Sequence, residues 1–129
     1  MHIFIGGAYN GKTEYVRRWI GDQPAFFCTM ETVASAAPEE RLIISGLQDW
    51  LRRSELSESE ASEAVRLVSM HDTVFILTDI GRGIVPLEPE QRELRDRCGR
   101  LYQQLFKEAT EITRIWYGIP QTIKRSEMI

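Results

Sequence analysis

Eight residues near the start of the chain, Gly6-Gly7-Ala8-Tyr9-Asn10-Gly11-Lys12-Thr13, have the types and spacing of the phosphate-binding pattern G-x-x-x-x-G-K-[ST]. A phosphate chain carries several negative charges and needs many donors at once. Glycine has no side chain, so consecutive backbone N–H groups can turn toward such a ligand. A helix beginning directly after the loop adds its unpaired N–H groups and its partial positive charge. On this reading Lys12 reaches the β- and γ-phosphates of ATP or GTP, and the Thr13 hydroxyl ligates Mg²⁺. The competing reading is a chance match on an ordinary strand–turn–helix. The full spacing with both flanks, an apolar strand before and a helix after, favours nucleotide binding.

Binding phosphate is not yet moving it. Phosphoryl transfer also asks for a carboxylate at the end of a neighbouring strand, to hold the Mg²⁺ shell. The segment Arg41 to Gly46 ends in Ser45-Gly46 and offers no acid. Asp79, closing the strand Thr73 to Thr78, is the best-placed carboxylate, as a catalytic and metal-holding residue beside Lys12 and Thr13. Its alternative role is to cap the glycine-rich turn that follows. Arg82 stands between two glycines beside the expected crevice and is the arginine to test against phosphate. Arg92, Arg95, Arg97 and Arg100 crowd one helix with Glu93 and Asp96, which reads as a solvated or subunit-facing charged surface more than as a phosphate clamp. His2 and His71 read as surface or turn histidines. Trp19, Trp50 and Trp116 read as core residues. No Ser/His/Asp arrangement and no metal-ligand spacing is present.

The elements that must hold these residues follow from periodicity. His2 to Gly6 is a short apolar strand, and Lys12 to Ile20 carries Tyr15, Val16, Trp19 and Ile20 at helical spacing up to Gly21. Ala25 to Met30 and Arg41 to Gly46 read as buried strands. Leu47, Trp50 and Leu51 share a helical face. Ser57 with Glu60 forms a capping box that opens a helix with Ala61, Ala64, Val65 and Val68 inside. Thr73 to Asp79 is a strand, Pro89 starts a long helix to about Ala109, and Glu111 to Tyr117 is a last strand. The tail "QTIKRSEMI" is polar, with fixed structure expected only as far as Lys124. Strands alternating with helices predict one α/β domain over residues 1–129, a P-loop NTPase-like three-layer fold with a mainly parallel sheet.

Composition narrows the partners. Hydrophobic residues make up 43% and charged residues 27%, as in ordinary globular proteins. A net charge of −3, without a Lys/Arg block, argues against a nucleic-acid partner. The apolar runs are far too short to span a membrane, and no signal peptide is visible. Cys28 and Cys98 are spaced for neither metal nor an evident pair. Reduced thiols and a cytoplasmic location are the expectation.

Three blocks in order carry a family resemblance. The loop Gly6 to Thr13 comes first, then Thr78-Asp79-Ile80-Gly81-Arg82-Gly83-Ile84-Val85-Pro86 with the helix Arg92 to Gln103, and last Gly118-Ile119-Pro120-Gln121-Thr122-Ile123-Lys124. Together they resemble the adenosylcobinamide kinase/adenosylcobinamide-phosphate guanylyltransferases of cobalamin biosynthesis. Asp79 stands where that family has glutamate, and Tyr102 where it has asparagine. The resemblance implies a homo-oligomer (a trimer in that family), a nucleotide with Mg²⁺, and a corrinoid acceptor. It also implies a helix bearing the histidine that accepts GMP covalently, and here "ETVASAAPEE" lies in that place with no histidine. Ser45 replaces a second acid. The expectation is therefore an ATP- or GTP-dependent kinase of adenosylcobinamide without the guanylyltransferase step. The alternative is a nucleotide-holding regulator or subunit of a corrinoid pathway that does not turn over.

Overall fold

The computed structural model describes residues 1–8, 10–70, 72–80 and 88–125. Six strands form one sheet in the order β2-β3-β4-β1-β5-β6. They are β1 (His2–Gly6), β2 (Ala25–Cys28), β3 (Arg41–Ile44), β4 (Val74–Thr78), β5 (Glu111–Trp116) and β6 (Ile119–Arg125). All neighbours are parallel except β5 and β6, which form an antiparallel hairpin. The helices are α1 (Lys12–Ile20), α2 (Leu47–Arg53), α3 (Glu58–Ser69) and α4 (Pro89–Glu108). The expected α/β fold with a mainly parallel sheet is what the chain forms.

Alternation along the strands sorts the core into two layers. Phe4, Ile43, Val74, Ile76 and Ile115 turn to one face, where Val16 and Ile20 of α1 cover them. Ile3, Ile44, Phe75, Leu77 and Ile112 turn to the other, against α2, α3 and α4. Phe4 and Phe75 are almost wholly buried on opposite faces. Each stabilises its layer by about 1.5–3 kcal/mol through removal from water. Both cores are therefore held by the central strands, and the outer strands are carried along.

Local chemistry fixes the helix starts. The Ser57 side chain accepts from the Glu60 N–H while the Glu60 carboxylate accepts from the Ser57 N–H, as the capping box predicted. Pro89 occupies the first turn of α4. Two expectations need correction at the far end of the chain. Glu111 to Tyr117 does not hold the last strand, because β6 follows it from Ile119 to Arg125 and pairs with β5. Trp116 is 60% exposed and not a core residue, because the helices of its face reach β5 only at Ile112. Trp50 is buried as expected, and Trp19 is partly exposed. Both cysteines are buried free thiols, and burial pushes Cys98 up to about 11.

Chain direction sets where a ligand can sit. From β1 the chain passes through α1 on one face toward β2; from β4 it passes through α4 on the other face toward β5. β1 and β4 are neighbours, so the two crossovers part company between them. A crevice opens at the carboxyl ends of such strands.

Candidate functional site

Gly6 ends β1 and has no room for a side chain. A Cβ there would lie 2.3 Å from the Ile115 carbonyl oxygen and 3.3 Å from Cδ of Lys12. The glycine thus lets β5 and the Lys12 stem close in on the strand end from two sides. Gly7 and Ala8 continue the turn, and Gly11, at φ 77°, is the residue from which α1 starts. That angle belongs to the left-handed region that glycine tolerates at little cost. Tyr9 lies outside the described residues.

Lys12 is the buried cation of this turn, at 9% exposure. Its Nζ donates to the Gly7 carbonyl at 2.8 Å, which folds the side chain back over the loop. Burial pulls its pKa below the ordinary lysine value, and Asp79 nearby works against that shift. An ammonium has three donors, so the Gly7 bond leaves donor capacity for an anion. Thr13, one residue on, is exposed at the first turn of α1.

Asp79 reaches the same place from β4. The β1–β4 ladder pairs Gly6 with Thr78, and the Asp79 N–H donates to the Gly6 carbonyl at 2.9 Å. The ladder thereby extends one step past the strand and sets a half-buried carboxylate beside the loop. Tyr102 of α4 holds this strand end: its hydroxyl donates to the Thr78 carbonyl at 3.0 Å. Burial keeps that phenol protonated, well above the ordinary tyrosine range.

The loop has a further brace that its own sequence does not announce. The Gly118 N–H donates to the Asn10 carbonyl at 2.9 Å. Gly118 and Tyr117 form the two-residue turn between β5 and β6, both at positive φ (76° and 48°), the twist that suits a hairpin. Gly118 was legible as the end of a strand, but its partner lies more than a hundred residues away.

The structure therefore brings together Gly6, Gly7, Ala8, Asn10, Gly11, Lys12, Thr13 and Asp79. Arg82 and the rest of Gly81 to Pro86 lie outside the described residues, as does His71. The arginines of α4 are partly accounted for: Arg97 donates to the Leu56 carbonyl at 3.2 Å, and Arg100 pairs with Glu58. They tie α4 to the start of α3. Thr13 and Asp79 supply a hydroxyl and a carboxylate, the hard oxygen ligands Mg²⁺ takes alongside phosphate oxygens and water. Among the described residues no group of three or more His, Cys, Asp or Glu side chains is placed to hold a metal ion without such a ligand.

His2 is not the surface histidine its position suggested. It is 7% exposed, stacked on Phe4 at 4.1 Å between centroids, with Trp19 edge-on at 5.0 Å. Its Nε2 meets the Thr113 hydroxyl at 2.8 Å and its Nδ1 lies 3.3 Å from Glu111. Burial holds its pKa below the usual 6.5, against the pull of Glu111. It belongs to the amino-terminal end of β1, with the whole strand between it and the loop.

Residues 43–123 match the family described as cobinamide kinase / cobinamide phosphate guanyltransferase, and this span is well over half of the chain. The chain belongs to that family, and so to the kinase- and transferase-like chemistry of cobalamin biosynthesis. The matched span includes Asp79 and most of the β5–β6 hairpin and begins after the glycine-rich loop. No curated protein matches the chain. Among the described residues no helix is long and apolar enough to cross a membrane.

Proposed function

We propose that this family member binds ATP or GTP through Gly6 to Thr13 and transfers the γ-phosphoryl group to the hydroxyl of adenosylcobinamide, without a guanylyltransferase step. The observation that carries the reading is the placement of Lys12. Its ammonium is buried at the first turn of α1, folded onto the Gly7 carbonyl, and beside Asp79 at the carboxyl edge of β1 and β4. A desolvated cation facing a glycine-rich turn is expensive to maintain in a structural role. An incoming polyphosphate offsets that cost. Thr13 and Asp79 would hold Mg²⁺, which when bound neutralises charge on the phosphate oxygens.

The absence of the second step rests on the histidines. A covalent guanylyl intermediate needs a nucleophile at the nucleotide. His2 is enclosed by Phe4, Trp19, Thr113 and Glu111 at the opposite end of β1, on the order of 13 Å of strand away. "ETVASAAPEE" supplies none. The same reading takes the protein as a cytoplasmic homo-oligomer.

Incubation with γ-labelled ATP or GTP, Mg²⁺ and adenosylcobinamide tests the kinase. Phosphorylated corrinoid above the level of a Lys12→Ala control is the expected result, and its absence refutes phosphoryl transfer. Recovery of an acid-labile GMP adduct would refute the loss of the transferase step. A second reading, nucleotide holding without turnover, is favoured by Ser45, which stands after β3 where a second acid would be. Nucleotide binding with no corrinoid product would establish it.

A further inference from the structure

The tip of the β5–β6 hairpin carries a ring that its turn does not call for. Two-residue turns with both central residues at positive φ favour Asn, Asp or Gly, which adopt that angle at least cost. Gly118 fits the pattern at φ 76°, and Tyr117 departs from it at φ 48°. The ring held in this costly position is 73% exposed and belongs to neither core layer. Trp116 stands beside it, with the ring centroids 5.6 Å apart and the planes 54° from parallel. Two large aromatic surfaces thus face water side by side.

This pair is tied to the glycine-rich loop. Neither central residue of a two-residue turn donates to the hairpin ladder, so both N–H groups are left for other partners. The Gly118 N–H goes to the Asn10 carbonyl at 2.9 Å, and the Gly118 nitrogen lies 3.7 Å from where a Cβ on Gly11 would stand. The tip therefore meets the loop at the two residues before Lys12. Two positions before Trp116, on the same face of β5, Arg114 is half-buried and makes no hydrogen bond or ion pair with any described residue. An exposed aromatic pair between an uncommitted cation and a glycine-rich turn suits a flat ring joined to an anion.

We propose that Trp116 and Tyr117 form the stacking platform for the base of the nucleotide whose phosphates lie in Gly6 to Thr13. The inference rests on the nucleotide-binding reading above and names the residues that hold the other end of that ligand. The phosphates take the N–H groups of the loop and the Lys12 ammonium, and the ribose spans from the loop to the hairpin. The base lies on the Tyr117 ring, with the tilted Trp116 ring closing on its edge. Stacking grips the π-face that every base presents, so the contact serves ATP and GTP alike.

Titration of the full chain with ATP, GTP and inorganic tripolyphosphate, each with Mg²⁺, separates the two ends of the ligand. Tripolyphosphate has the charged chain and no ring. The wild-type protein is expected to bind both nucleotides at least about tenfold more tightly than tripolyphosphate. Tyr117→Asn removes the ring and keeps a residue that tolerates positive φ. This variant and Trp116→Ala are each expected to lower ATP and GTP affinity about tenfold and to leave tripolyphosphate affinity unchanged. Tyr117→Phe, which keeps the ring, is expected to match the wild type. Trp116 is the most exposed of the three tryptophans, so ATP and GTP are expected to quench its emission and tripolyphosphate is not. Unchanged nucleotide affinity in Tyr117→Asn and Trp116→Ala overturns the platform. An equal loss for tripolyphosphate also overturns it, by making the tip a support of the loop alone. If tripolyphosphate binds the wild type as tightly as the nucleotides do, the platform fails while phosphate binding stands. If none of the three binds, the nucleotide reading fails and the platform falls with it.

Discussion

The two ends of β1 are four residues apart and are built on opposite plans. At the amino-terminal end, His2 is packed between rings, and both of its nitrogens have partners in Thr113 and Glu111. At the carboxyl end, Gly6 has no side chain, and the space around it is filled by groups arriving from elsewhere: the Ile115 carbonyl, the Lys12 stem and the Asp79 backbone. Polar groups at the first end are satisfied by the protein itself. At the second, Lys12 and Arg114 keep side-chain donors that no other described residue takes up. Burial alone does not separate a structural polar residue from a working one. What separates them is whether the hydrogen-bonding capacity is already spent.

The largest expected effect tests the crowding at the glycine end. Gly6→Ala forces Cβ against the β5 backbone and is expected to cost about 3 kcal/mol of stability, read as the midpoint shift in urea unfolding. A loss under about 1 kcal/mol would mean that β5 can retreat and the site is loosely held. Next, Lys12→Ala is expected to lower nucleotide affinity by at least about a hundredfold, roughly 2.7 kcal/mol. It should also leave the ligand-free melting temperature unchanged or raised, since a desolvated charge is removed. A marked fall in melting temperature would move Lys12 to the structural side of the comparison.

Tyr102→Phe removes the bond to the Thr78 carbonyl and is expected to cost about 1 kcal/mol, with a larger proportional loss in turnover because Asp79 loses its support. The smallest effect belongs to His2. Its folded pKa lies below the unfolded value near 6.5, so the unfolded chain binds the extra proton first as pH falls. Stability is therefore full above 6.5 and declines as the pH drops below it. His2→Gln is expected to flatten the melting-temperature profile between about pH 5 and 6.5 without altering nucleotide affinity at pH 7.5. A change in affinity would join the two ends of the strand functionally.

Much of this was legible in the sequence, and the exceptions share a physical cause. The strands up to β5, the helices, the Ser57 capping box and the position of Asp79 at the end of a strand follow from signals within a few residues of each other. Periodicity gives the face, and the end of a strand gives the crevice. His2 and Trp116 were misjudged because burial depends on neighbours distant in the chain. His2 is closed in by α1 and β5, whereas Trp116 lies where the helices of its face do not reach. The β6 strand was missed because its exposed polar alternation resembles a loop until β5 is there to pair with it. The brace from Gly118 to Asn10 and the placing of Arg114 on the α4 face of the sheet likewise exist only once the sheet has been assembled.

That assembly has an order imposed by the strand in the middle. Ile3 pairs with Phe75 on one side and Ile112 on the other, and the glycine-rich loop is finished by a bond from Gly118. A ribosome delivers the loop first and its supports last, so for most of synthesis the loop has nothing to lean on. Contacts of such long sequence separation slow folding, because the chain must close large loops before they are rewarded. The full bracing of the loop is in this sense a late property of the nascent chain, acquired when the hairpin docks, and a protein halted before β5 would carry the whole motif and Asp79 without the bond from Gly118.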